Sequence, residues 1–318
     1  KLGNKAALWG AIAATIPDLD VIFRVISHPV DGALLHRGFS HSIVFALIIS
    51  PILAWLAHKL YTARFAFKTW LWLFFLCIIT HPILDVFTNY GTQFFWPFDV
   101  RLTFNSIFVV DPLYTIPLGL CLLIALFFKR DNKWRRRLNN SGIIYTCIYL
   151  IWCVSVKLSI LNQSASYFSN AGIKGKNNLV TPMPFTSFYW MVLTEGEENY
   201  YMGYKSIFYD FNPNDIVIFK KNHKVLDNLK WKSTDYSESL KFLTMGYYAI
   251  IDHADTVELY DLRFGSASIF TNGMVKKPIF GYGMVVDNQI VNKTIALPPT
   301  KAWKHVNFGM YLHNVFNE

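Results

Sequence analysis

The first half of this 318-residue chain is divided into apolar runs of a length that soluble cores seldom need. A helix crosses the hydrocarbon layer of a bilayer with about 20 mostly apolar residues. Five segments are candidates: residues 8–16, 42–61, 69–87, 107–128 and 142–161. The first is short and stops at Pro17-Asp18, as a partial or tilted span would. The third is interrupted by His81, Pro82 and Asp85.

Beyond about residue 170 the pattern changes. Asn, Gly and Pro separate short runs rich in β-branched and aromatic residues, at 185–193, 216–219, 247–251, 256–259, 268–271 and 283–286. Such runs bounded by turn residues read as strands. The expected fold is an α-helical polytopic membrane domain, residues 1–165, followed by a β-rich extracytoplasmic domain, residues 170–318. The average composition, 53% hydrophobic and 16% charged, blends two unlike halves. Cys77, Cys121, Cys147 and Cys153 all lie in apolar segments without zinc-finger spacing and read as small packing residues. No cleavable signal peptide is visible, and the start at Lys1-Leu2-Gly3-Asn4-Lys5 reads as a chain lacking part of its native N-terminus.

The net charge of +9 does not form a groove-lining stripe with interleaved aromatics, so no nucleic-acid partner is expected. Its densest cluster is Lys129, Arg130, Lys133, Arg135, Arg136 and Arg137, between two apolar segments. A second basic loop carries Lys59, Arg64 and Lys68. Both read as cytoplasmic by the positive-inside rule. The second and fourth segments then run inward, the third and fifth outward, and everything after the fifth lies outside.

Three polar clusters sit where lipid should disfavour them: Pro17-Asp18-Leu19-Asp20, His36-Arg37-Gly38-Phe39-Ser40-His41-Ser42, and His81-Pro82-Ile83-Leu84-Asp85. Ionisable groups at such positions are functional by default. His and Asp are ligands for zinc, iron or manganese. His81 and Asp85, four apart, share one helix face. Pro17 predicts a helix end where Asp18 and Asp20 can both turn inward. Ser40 is the expected N-cap of the second segment, with His41 opening it and His36 in the preceding loop. The loop charges put all three clusters on the outer face. The expected centre is a divalent metal, zinc first, held by Asp18, Asp20, His36, His41, His81 and Asp85. Arg37 reads either as a loop charge facing lipid headgroups or as a phosphate clamp. Asp111 reads first as a helix start, Asn89 as a weaker polar candidate. His28, His58, His223, His253, His305 and His313 read as ordinary residues.

At these clusters the sequence resembles the YdjM-like family of inner-membrane proteins, described as metal-dependent hydrolases. Tyr90-Gly91 and Trp96-Pro97-Phe98 add to the likeness, which covers roughly residues 1–130. The resemblance implies a bacterial inner-membrane location, and an additional N-terminal helix bearing a Thr-His pair in family members. The resulting expectation is a hydrolase of a phosphoester or lipid-linked substrate at the outer membrane face, with membrane lipid as partner. Asp20 would accept the proton of the attacking water and Arg37 would hold a phosphate oxygen. The alternative is a transporter or metal-handling protein using the same residues; the absence of paired interrupted helices in related halves counts against it. A third reading is a scaffold whose outer domain binds a partner.

Overall fold

A computed structural model of the chain describes residues 2–61, 64–271, 273–297 and 307–316. It divides into two compact units, Lys1–Asn105 with Pro112–Leu150, and Ser106–Asp111 with Ile151–Glu318.

The first unit is helical. Helix α1, Asn4–Thr15, ends before Pro17, whose ring opens a 3₁₀ turn over Pro17–Ile22. Two short helices follow, α2 (Phe23–Ile26) and α3 (Pro29–Leu35), then a second 3₁₀ turn over Phe39–His41. The long helices are α4 (Ile43–Leu60), α5 (Phe67–Val86), α6 (Pro112–Leu126) and α7 (Lys133–Asn170). Four helical stretches among the described residues are long and apolar enough to cross a membrane: Asn4–Ile26, Ile43–Leu60, Phe67–Val86 and Lys133–Asn170.

The fourth predicted span differs from expectation. Helix α6 has 15 residues, about 22 Å at 1.5 Å per residue, short of a bilayer core of about 30 Å. Residues 107–111 precede it because Pro112, with no N–H to donate, favours the first helical position. Helix α7 begins earlier than expected, taking Lys133 and Arg135–Arg137 into its first turns.

Helices α1, α4 and α5 pack through small residues and aromatics. Ala46, Ala54 and Ala57 are buried against Trp70, Phe74 and Ile78. Trp9 stands edge-on to Trp70 and Phe74, and Gly10 lies so near Cys77 that an added Cβ would come within 3.3 Å of its Sγ. This advancing register makes α1 and α5 parallel. Tyr61, at the end of α4, stacks on Trp70 near the start of α5, so those two are antiparallel. The end of α1, the start of α4 and the end of α5 therefore share one end of the bundle.

The second unit holds two sheets. The first has order β1-β2-β3-β4, all antiparallel: β1 (Lys176–Pro182), β2 (Tyr189–Glu195), β3 (Asn199–Ser206) and β4 (Val217–Lys220). The second comprises β5 (Lys230–Trp231), β6 (Tyr248–Asp252), β7 (Thr256–Ser266), β8 (Pro278–Asp287) and β9 (Ile290–Leu297). Its order is β5-β9-β8-β7-β6, antiparallel except for β5 beside β9. Three helices complete it: α8 (His223–Asn228), α9 (Ser237–Thr244) and α10 (Phe308–Phe316).

Strand β2 is buried on both faces. Met191 and Leu193 join a core with Met202, Leu262, Tyr311 and Val315, while Trp190 and Val192 pack on Ile160 and Phe168 of α7. That second contact puts the unit boundary within α7, upstream of the division at 165–170 drawn from composition. Of residues 268–271, expected as a strand, 268–270 belong to a 3₁₀ turn, Ala267–Phe270, because Ser266 Oγ caps it by accepting from Ser268 N, and Thr271 is its C-cap. The strand expected from residue 185 starts at Tyr189, since Phe185 has φ +63°.

Candidate metal centre

The first 3₁₀ turn presents Asp18 and Asp20 at the shared end of the bundle. The segment between α3 and α4 brings His36, Arg37, Ser40 and His41 to the same place. Arg37 has φ +60°, a costly conformation for a residue with a side chain. It is held from both sides: Arg37 N donates to Asp20 Oδ2 (3.1 Å), and Arg37 O accepts from Gln93 N (2.9 Å). Ser42, not Ser40, is the N-cap of α4, accepting from Phe45 N at 3.1 Å. His41 lies in the 3₁₀ turn just before it. Helix α5 supplies His81 and, one turn on, Asp85.

Four of the six expected ligands converge. One ligand atom from each of Asp18, His41, His81 and Asp85 lies within 4.8 Å of the other three. His41 Nε2 is 3.3 Å from Asp18 Oδ1 and 3.2 Å from Asp85 Oδ2. His81 Nε2 is 3.4 Å and 3.6 Å from the same two atoms. His41 is fully buried, while half of the Asp18 side chain is exposed, so the group opens on the Asp18 side. His41 Nε2, His81 Nε2 and Asp85 Oδ2 are buried and lack hydrogen-bond partners.

Asp20 and His36 stand behind this group. Asp20 Oδ1 accepts from His36 Nδ1 at 2.7 Å. Asp20 Oδ2 accepts from Arg37 N and from Ser40 Oγ, and lies 3.1 Å from His41 Nδ1. With both oxygens engaged, Asp20 orients its neighbours. His41 Nδ1 also lies 3.0 Å from Ser40 Oγ, and a proton there, shared by Ser40 and Asp20, leaves Nε2 facing the group of four, as in an imidazole oriented by a carboxylate behind it.

Arg37 is 5% exposed, which rules out the headgroup-facing reading. Its guanidinium reaches Asp85 Oδ1 at 3.0 Å and donates to Thr88 Oγ1 at 2.8 Å, over the ring of Tyr90. Its Nε is buried without a hydrogen-bond partner. Burial opposes charge on His41, but the carboxylates of Asp18, Asp20 and Asp85 outweigh it and push its pKa up to about 10. The negative field that holds a proton there also favours a cation.

Sequence reasoning gave no role to Thr88 or Arg101, and cast Ser40 only as an N-cap, whereas its hydroxyl donates to Asp20. Thr88, three residues after Asp85, was in reach of helix spacing. Arg101 was not: it donates to the carbonyls of Ala33 (3.3 Å) and Leu34 (3.1 Å) from 68 and 67 residues away, fixing the end of α3 just before His36. Asn89 is buried. Asp111, in the second unit, accepts from Ser187 Oγ at 2.8 Å. His28 caps α3, His58 bonds Phe65 O, and His223 bonds Tyr248 O. His253 lies 3.5 Å from Glu258, His313 sits on α10, and His305 falls outside the described residues.

Comparison with known proteins bears on the helical unit. Residues 1–161 match the model of a family described as YdjM inner membrane protein. A Bacillus subtilis (strain 168) protein, YfhP, described as uncharacterized, is 32% identical over 136 residues, 42% of this chain and 38% of YfhP. The inner membrane protein YbcI of Escherichia coli (strain K12) is 28% identical over 124 residues, 36% of this chain and 70% of YbcI. The chain thus spans well under half the length of YfhP and about two thirds of YbcI. No solved structure matches the chain.

Proposed function

The chain belongs to the YdjM inner membrane protein family, and from that premise we propose that it is a membrane-embedded, metal-dependent hydrolase of a lipid-borne phosphoester. One observation carries the reading: two imidazole nitrogens and a carboxylate oxygen, buried without hydrogen-bond partners, converge on one another and on Asp18. A purely structural cluster would pair these atoms, because an unsatisfied buried polar group costs about 1–3 kcal/mol. Two imidazoles and two carboxylates form a donor set that fits a divalent ion, zinc first. His41, His81, Asp85 and Asp18 would hold it, with Asp18 on the solvent side. The chemistry such an ion supplies is activation of water and polarisation of the scissile group.

The protein's own residues set the geometry. Asp20, with both oxygens engaged, holds His41 and His36 in place. Arg37 fixes Asp85 and keeps one buried N–H unpaired, which suits an anionic phosphoryl oxygen. The rim supports an amphiphilic substrate. Leu19, Val21 and Ile22 on the aspartate-bearing turn are exposed, as are Phe39, Trp96 and Phe98. Apolar side chains around a polar centre at the end of spanning helices fit a substrate whose tail remains in lipid. The basic residues Lys59, Arg64 and Lys68 belong to the opposite end of α4 and α5, which supports an outer-face site.

The test is metal analysis of the purified full chain, together with hydrolysis of phosphatidylglycerol vesicles and of a soluble phosphodiester. The expected result is about one or two divalent ions per chain and faster turnover of the vesicles. A metal-free protein, or hydrolysis that survives His81→Ala with Asp85→Ala, overturns the reading.

A further inference from the structure

We propose that the β-rich unit rests in the bilayer surface through an aromatic face built around α10. This helix has no Lys, Arg, Asp or Glu in its nine residues, Phe308–Phe316. Tyr311 and Val315 point into the core of the unit, each 1% exposed. Phe308, Leu312 and Phe316, spaced by four, form a second apolar face and are 50%, 42% and 46% exposed. A helix in water keeps its polar residues on that side.

The face extends beyond the helix. The Phe316 ring lies 5.7 Å from Phe208, itself 52% exposed. Phe308 lies 6.5 Å from Phe185, which is 47% exposed. Contiguous apolar patches of this kind mark protein or membrane contacts.

Helix α7 identifies the occupant. Phe188 lies 6.2 Å from Phe316 and 5.6 Å from Trp152 of α7. Between Arg137 and Lys157 this helix carries no charged residue. That interval of twenty residues is about 30 Å, the thickness of a hydrocarbon core. Ile144, Ile148 and Ile151 within it are exposed, as lipid-facing side chains are. Trp152 lies five residues inside Lys157, about 7.5 Å, where aromatic belts meet the headgroups. The aromatic face is continuous with that belt, so lipid, rather than water or a second protein, covers it.

The native full chain tests it without substitution. The protein is reconstituted into phosphatidylethanolamine–phosphatidylglycerol vesicles containing a trace of phosphatidylcholine with a diazirine on its acyl chain. After photolysis, labelled peptides are mapped by mass spectrometry. Labelling of the α10 peptide about tenfold or more above that of polar α9 (Ser237–Thr244), and similar to that of α7, is the expected result. Labelling of α10 at the level of α9 overturns the proposal, whether water or a second copy of the chain covers the face.

Discussion

Both units take charged groups out of water, and they complete them differently. In the second unit Arg263 and Asp261 are buried together. Arg263 Nε and its terminal nitrogen grip the two Asp261 oxygens at 3.0 Å and 2.6 Å, the same terminal nitrogen donates to Leu243 O, and Arg263 N donates to Asp261 Oδ1. In the first unit, Asp18, His41, His81 and Asp85 approach one another only to 3.2–3.6 Å, and key atoms lack hydrogen bonds. A bidentate pair is finished by the protein itself. A group of four with its donor atoms turned inward and no hydrogen bonds between them has room for a cation. Burial alone does not distinguish the two groups; the state of their hydrogen bonds does.

The contrast can be broken experimentally. The largest effect is expected from His81→Ala with Asp85→Ala, which removes two inward atoms: metal content falls at least about tenfold and hydrolysis at least about 10³-fold, while the second unit unfolds at its usual temperature. Arg263→Met should do the reverse. It leaves Asp261 buried without its partner and costs about 3–5 kcal/mol, read as an earlier thermal transition with metal content unchanged. Loss of metal in that variant would erase the distinction.

Asp20→Asn tests support without ligation. Metal affinity should weaken about 10- to 100-fold by titration against a chelator, with the stoichiometry kept. The pH dependence has a definite sign. The carboxylates hold a proton on His41 up to about pH 10, and a cation must displace it. Metal affinity therefore falls at least about tenfold for each unit by which pH drops below that value, and more steeply where His81 must also release a proton, measured by isothermal titration in two buffers. The smallest effect belongs to Ser42→Ala, which removes the N-cap of α4 and costs about 1 kcal/mol. It should leave metal affinity within about threefold, because Ser42 touches none of the four.

Much of the helical unit was legible because its signals are local. Hydropathy located the second and third spans to within a few residues, and His81 with Asp85 needed only the helix repeat. The β-rich unit was harder. Strand β3, with Gly203 among its tyrosines, and β9, with Asn292 and Lys293, lack clean alternation. Residues 268–271 are β-prone by type, yet the side-chain cap at Ser266, just ahead of the run, sets residues 268–270 in a 3₁₀ turn. In the second case a capping contact overrode propensity.

The sequence by itself determined the class of the molecule, a helical membrane half followed by a strand-rich half, and the chemical types gathered at the site. Helix length, apolar content and residue identity are carried by the chain directly. Only the tertiary structure decided how six candidates divide. Parallel packing of α1 on α5 put Asp18 beside His81 and Asp85, while the turn at Arg37 swung Asp20 and His36 behind them. Nothing in the spacing of Asp18 and Asp20 says which faces inward. That choice rests on a left-handed residue pinned by Asp20 and Gln93, and on Arg101 holding α3 from 65 or more residues away. Contacts over such separations form only when the whole bundle closes, and so the ligand set became readable only in the folded chain.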